Sequence, residues 1–310
     1  MDQQLIKTLS QTIRGLSIDG VEAAKSGHPG LPLGMADVAS VLWNSHLRHH
    51  PGHPQWFNRD RFVLSAGHGS MLIYSLLHLF GYNLPIEELK NFRQWESKTP
   101  GHPEYRETPG VEMTTGPLGQ GISTAVGMAL AESSLAARIN HPGHEVVDHF
   151  TFVIASDGDL QEGISHEASA FAGHNKLGKL IVLYDDNGIS IDGETDLSFS
   201  ENVLQRYQAY GWHTQQIDGH DLGAVDEAIT AAKKVKDQPS IIACKTIIGF
   251  GSPNKQGTED CHGSPLGTEE AKLTKANLGL PTDSSFYVPE DLKSFGQAQL
   301  EKGRALESAW

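Results

Sequence analysis

Two short apolar runs, each ending in an acidic turn with a glycine, constrain this chain more than any other feature. The first, residues 149–155, runs into Ser156-Asp157-Gly158; the second, residues 179–184, runs into Asp185-Asp186-Asn187-Gly188-Ile189. The 28 residues between Gly158 and Asn187 leave room for a turn, one helix over roughly 161–175 and a return strand. The unit is therefore strand–helix–strand, with oxygen ligands at both strand ends, where open α/β sheets bind ligands. An Asp carboxylate, an Asn amide oxygen and a nearby backbone carbonyl suit Mg²⁺, which prefers octahedral oxygen coordination and shares it with phosphates. The glycines let the backbone come close to a diphosphate. Taken singly, Asp-Gly and Asn-Gly are ordinary turn dipeptides. Their pairing at two successive strand ends is what argues for a site.

Apolar periodicity predicts further helices over 5–25, 34–46, 71–80, 85–94, 120–140, 203–210 and 222–235, and strands over 61–65, 212–217 and 240–246. Strands alternating with helices after residue 150 predict an α/β fold, a mostly parallel sheet flanked by helices on both faces. The small residues Gly121, Ala125, Gly127 and Ala129 point to a close neighbour along the 120–140 helix. Residues 97–119 carry little regular pattern, and so long a loop in a compact domain is functional or disordered. The pattern weakens from about 280, so the main domain is expected to span 1–282, and 283–310 reads as a surface tail or the start of a linker.

The 310 residues allow one large or two small domains. A net charge of −14 makes general nucleic-acid or anionic-membrane binding a poor reading. There is neither a long apolar run nor a signal-peptide pattern, and Cys244 and Cys261 give no disulfide framework or zinc spacing. A cytoplasmic protein without nucleic-acid or membrane partners is expected.

Of the 16 histidines, His28, His68, His102 and His262 sit beside glycine or proline at element ends, on loops at the rim of a scaffold. Imidazole donates to phosphate or hydroxyl oxygens and moves protons near neutral pH. Any one of them alone is more often a loop or capping residue. His49, His50, His53, His141 and His144 lie in polar loops rich in Pro and Gly and read as solvated, with at most a weak surface metal site at 49–53. Gly116-Pro117-Leu118-Gly119-Gln120-Gly121 opens a helix, where backbone N–H groups bind anions. It is neither a Walker A motif nor a dinucleotide fingerprint. Cys261 beside His262 does not imply a nucleophile pair, and Asp157 with Glu162 has no carbohydrate-cleaving context.

Six stretches, taken together and in order, resemble the transketolase family. They are Ser26-Gly27-His28-Pro29-Gly30, Ser65-Ala66-Gly67-His68-Gly69-Ser70, Thr99-Pro100-Gly101-His102-Pro103, Thr115 to Gly121, the Asp157–Asn187 unit, and Cys244 to Gly251. They cover roughly residues 10–270 and match the family's N-terminal, diphosphate-binding (PP-type) domain. The resemblance implies thiamine diphosphate held through Mg²⁺, Ca²⁺ or another divalent cation. Asp157 and Asn187 would ligate the metal by side chain and Ile189 by its carbonyl. Gly116, Pro117, Leu118, Gly158, Asn187, His68 and His262 would contact the cofactor. His28, His102 and His262 would serve the sugar substrate and the reaction centre. Glu162 and Glu167 would lie at a dimer interface. The chemistry would be transfer of a two-carbon ketol unit between sugar phosphates, the carbanion being stabilised by the cofactor.

Two departures accompany the resemblance. The family's metal motif usually begins Gly-Asp-Gly, and here Ser156 takes the first place. A family chain also runs about twice this length; its second half holds the pyrimidine-binding domain, with the glutamate that activates the cofactor and the arginines that grip the sugar phosphate. The implied partner is a homodimer mate or a second chain carrying that domain. Two alternatives stand beside this reading: a subunit of another thiamine-diphosphate enzyme of the 2-oxo-acid dehydrogenase type, and a non-catalytic cofactor-binding module.

Overall fold

Five parallel strands occupy the centre of the structure, a computed structural model that describes residues 2–310. Along the chain come α1 (Gln3–Ala24), α2 (Gly30–Val41, continued by a π turn over Leu42–His46), β1 (Arg61–Leu64), α3 (Ser70–Leu79), α4 (Ile86–Lys90) and α5 (Gln120–Ile139). The strand–helix–strand unit follows: β2 (Thr151–Ser156), α6 (Asp157–Gln161), α7 (Gly163–His174) and β3 (Leu180–Asp186). A small hairpin of β4 (Ile189–Ser190) and β5 (Gly193–Glu194) leads to α8 (Val203–Ala209), β6 (His213–Asp218), α9 (Leu222–Lys234) and β7 (Ser240–Lys245). The chain closes with α10 (Thr268–Asn277), α11 (Glu290–Lys293) and α12 (Phe295–Ala309).

The sheet order is β1-β2-β3-β7-β6. Side-chain alternation along the strands divides the core into two layers. Phe62, Leu64, Phe152, Ile154, Ile181, Leu183 and Ile242 face α1–α3 and α9. Their neighbours Val63, Val153, Ala155, Val182, Tyr184 and Ile241 face α5, α7 and α8. Every residue of β2 is buried, as a parallel strand covered on both faces requires. In register, Ser156 lies opposite Asp185 and Asp185 opposite Cys244, so the carboxyl ends of three strands finish side by side. The start of α5 approaches this edge closely, because a Cβ at Gly121 would lie 2.4 Å from the Ser65 Cα. Gly127, on the same helix, faces open space.

Four expectations change. The helix over 161–175 is α7, which starts only at Gly163; the turn expected before it is itself a short helix, α6, and the two are separated at Glu162, where ψ is 137°. The 85–94 helix stops at Lys90, and Arg93 and Glu96 then take φ of 60°. His49 and His50 are buried, not solvated: His49 stacks on Tyr82 at 5.7 Å with its ring tilted by 4°. Residues 283–310 carry a docked helix. Phe295 meets Phe80 edge-on at 5.0 Å, and Trp310 Nε1 donates to the Val146 carbonyl at 2.9 Å. The contact of α12 rests partly on Gly303, whose absent side chain lets the helix lie on the 49–50 backbone. A glycine contact leaves no apolar periodicity to read. Among the described residues no helix is long and apolar enough to cross a membrane.

Candidate active site

A cavity of about 510 Å³ opens at the carboxyl edge of the sheet, lined by His28, His68, Gly116, Leu118, Asp157, Gly158, Asn187, Ile189 and His262, with Leu31, Ile191 and Ile248 among its apolar walls. The neighbouring ends of β2 and β3 bring Asp157 and Asn187 to it. Asp157 Oδ1 accepts from the Tyr184 hydroxyl, while its Oδ2 is buried with no hydrogen-bond partner. Burial raises the Asp157 carboxyl to about 6, against the Tyr184 bond, with Asp186 adding repulsion. A buried, orphaned carboxylate oxygen costs free energy unless a cation or donor meets it. Asn187 is fixed on both sides: its Nδ2 donates to Asp185 Oδ2 at 2.9 Å and its Oδ1 accepts from the Ile189 amide at 2.9 Å. Asp185 is fully buried, accepts from the Thr246 hydroxyl, and is lifted to about 7 by burial. The donor set is oxygen-rich, as a hard divalent cation demands.

The four histidines singled out from separate loops converge. The His28 ring lies 5.2 Å from His68, 5.8 Å from His262 and 6.4 Å from His102, and His68 stacks on His262 at 5.2 Å. Burial holds His28 at about 4 and His68 at about 3, with the neighbouring imidazoles adding repulsion. His102 and His262 are also lowered, chiefly by burial. His262 Nδ1 is a second buried atom without a partner. His102 is the exposed member, at the rim rather than in the cavity lining. Its loop is held to α3 by Ser70 Oγ donating to the Gly101 carbonyl at 2.9 Å and Tyr74 OH to Pro100 at 2.7 Å. Pro117 faces an outer groove with Gln120 instead of the cavity.

Glycine keeps this floor open. A Cβ at Gly158 would sit 3.1 Å from Leu118 Cδ1, and one at Gly116, where φ is 144°, would sit 3.2 Å from the His102 ring. The reading of the 116–121 turn as an anion-binding helix start needs revision. The Gly119 amide already donates to Asp159 Oδ1 at 2.9 Å and the Ile122 amide to Ser65 Oγ at 2.9 Å. These donors are spent inside the fold, and only Gly116 and Leu118 of the turn line the cavity.

Asp159 is a central residue that sequence reasoning missed. It is fully buried, and accepts from Ser65, Gly119 and the Ser156 amide, tying together the ends of β1 and β2 and the 116–121 turn. Ser156, in the usual place of glycine, forms a reciprocal capping box with it. Its φ of −126° is open to any residue, so the extra Cβ brings no backbone strain. Asp185, Gln161 and Arg93 were also missed. Arg93 Nη1 donates to Ser26 at 2.8 Å, and Nη2 lies 3.5 Å from His28 Nδ1. The only available signals were the doubled acid before Asn187 and the Ser-x-x-Asp spacing from 156 to 159.

A family profile described as "Transketolase, thiamine diphosphate binding domain" matches residues 5–310. The chain belongs to the transketolase family. It is 60% identical over 305 residues to transketolase 2 of Aliivibrio fischeri, covering 98% of this chain and 46% of that protein. It is 48% identical to the solved transketolase of Leishmania mexicana, with a TM-score of 0.96 over 98% of this chain and 46% of that one. A transketolase of Pichia stipitis solved in complex with sedoheptulose 7-phosphate has 46% identity and a TM-score of 0.96, again over 98% of this chain and 45% of that chain. This chain thus spans less than half the length of the transketolases it matches. The family assignment sets aside the 2-oxo-acid dehydrogenase alternative.

Proposed function

We propose that this chain is the cofactor-binding part of a transketolase that moves a two-carbon ketol unit from a ketose phosphate to an aldose phosphate in the pentose phosphate pathway. The observation that carries the reading is the meeting of His28, His68, His102 and His262 beside the Asp157–Asn187 strand ends. Asp157, Asn187 and the Ile189 carbonyl would hold Mg²⁺, Ca²⁺ or another divalent cation, and the orphaned Asp157 oxygen fits that duty. Gly116, Leu118, Gly158, His68 and His262 would take the diphosphate side of thiamine diphosphate, with Pro117 supporting the turn from outside. The cofactor, when bound, supplies the electron sink for carbon–carbon bond cleavage.

The chain's own groups bind, orient and move protons. His28 and His68, held low by burial, are neutral at pH 7, so each offers one N–H and one lone pair to a hydroxyl or phosphate oxygen. His28, His102 and His262 would orient the sugar hydroxyls and shuttle protons there. The sugar-phosphate complex of the Pichia stipitis relative supports that substrate class. Completion of the site calls for a pyrimidine-binding domain, in a homodimer or from a partner chain. Glu162 and Glu167 are exposed beside exposed Ile164 and Phe171, which supports a partner seated on α7. The acidic charge and two unpaired, buried cysteines accord with a cytoplasmic setting.

The test is complementation. The chain should show no ketol transfer alone and should gain it, with Mg²⁺ and thiamine diphosphate, when mixed with a family C-terminal half. Transfer by the chain alone would contradict this account. Cofactor binding that no partner converts into activity would leave a non-catalytic module.

A further inference from the structure

In the segment that follows α2 and its π turn, two histidines and a carboxylate meet outside the site described above. His50 Nδ1 lies 2.6 Å from Glu307 Oε2, and His53 Nδ1 lies 2.7 Å from Glu307 Oε1. Ligand atoms from all three lie within 4.8 Å of one another, the one such group of three among the described residues. Local structure explains the meeting. A turn closed by the His53 amide on the His50 carbonyl, at 3.0 Å, brings the two imidazoles together. Gly303 seats α12 on the backbone of residues 49–50, where a Cβ would come within 2.6 Å of His50 Cα. Glu307, one turn further along the same face, is thereby delivered to both rings. His49 takes no part, since its Nδ1 lies 3.1 Å from the Tyr82 hydroxyl.

We propose that His50, His53 and Glu307 form a site for a divalent first-row transition metal of the Zn²⁺ class, which pins α12 to the segment after α2. Two imidazole nitrogens and one carboxylate oxygen are a Zn²⁺ donor set, with the fourth position left to water. The same set is poor for Mg²⁺ or Ca²⁺, which take oxygen. The two metals would therefore not compete for each other's sites. Ligands at bonds of about 2.1 Å around a tetrahedral ion lie about 3.4 Å apart, so the two His–Glu307 contacts, now at 2.6 and 2.7 Å, need a small outward movement to admit the ion. The His53 side chain, 53% exposed, has the freedom to make it, while His50, at 11%, is the fixed member. On binding, each ring presents an unprotonated Nδ1 to the metal and keeps its proton on Nε2.

Titration of the chain with Zn²⁺ against a chromophoric chelator, in excess Mg²⁺, tests the site. One Zn²⁺ should bind per chain, and His53→Ala and Glu307→Gln should each weaken it by more than about tenfold. Co²⁺ should give visible absorption bands in the parent that both variants lose. Zn²⁺ should raise the melting temperature of the parent and not that of His53→Ala. Absence of Zn²⁺ binding by the parent, or binding undiminished in both variants, would overturn the proposal and leave the trio as a hydrogen-bonded contact. Both substitutions are at accessible side chains, so circular dichroism can show that the variants fold.

Discussion

Replacing Asp157 by Asn should push stability and cofactor binding in opposite directions. The ordinary Asp value is 3.8, and burial lifts Asp157 to about 6 in the metal-free protein. A gap of about 2 pH units, at 1.36 kcal/mol each, corresponds to about 3 kcal/mol held against the fold by the ionised carboxylate at pH 7. Solvent on the cavity side screens part of this, leaving about 2 kcal/mol. Because the folded value lies above the unfolded one, the penalty is complete above about pH 6 and fades as pH falls toward 3.8. Asn keeps an oxygen for the Tyr184 hydroxyl and removes the charge. In chelator, Asp157→Asn should therefore melt about 3–5 °C higher than the parent at pH 7, with most of the gain gone at pH 4. In calorimetric titrations with thiamine diphosphate and Mg²⁺, the same variant should lose at least about a hundredfold in metal-dependent affinity. A variant that melts lower than the parent at pH 7 without metal would refute the burial argument. One that binds the cofactor with unchanged Mg²⁺ dependence would refute the ligand assignment.

Two further substitutions probe the scaffold. Gly121→Ala, whose Cβ meets the Ser65 backbone at 2.4 Å, should cost about 2 kcal/mol or more, while Gly127→Ala on the same helix, with nothing within 4 Å, should gain about 0.5–1 kcal/mol; urea melts giving equal signs would count against the close approach. Phe295→Ala, removing a buried ring set edge-on to Phe80, should cost about 3 kcal/mol, and a loss below about 0.5 kcal/mol would mean that α12 is only a loosely attached tail.

The parallel sheet and its two helical layers were legible because β2 and β3 are buried runs and the long helices carry a clear apolar period. The site was legible where function demands unusual residues at strand ends, such as Asp157, Asn187 and the histidines beside glycine. It was illegible where the work is done by buried polar side chains inside otherwise ordinary segments. Asp159 looks like any acid in the first turn of a helix, yet it joins three loops through bonds to residues as distant as Ser65. Asp185 looks like half of a turn dipeptide, yet it orients Asn187. Burial of His50 depends on α12, more than 240 residues away in sequence, and no local pattern reports a contact of that separation.

The register of β2 on β3 sets a fixed gauge. Ser156 stands opposite Asp185, and neighbouring strands hold a spacing of about 4.8 Å. The separation of the two strand ends is thus measured by the hydrogen-bond ladder, not by the length of chain that joins them. A change in the length of the turn after α7 would leave the distance between Asp157 and Asn187 to the ladder, and would be felt instead where that turn packs, with Leu177 buried and Gly178 seated against the Lys236 carbonyl. A one-residue slip of the ladder would instead turn each side chain of β3 to the opposite layer. In this protein, the span across the site belongs to the ladder, whatever the chain between the two strands does.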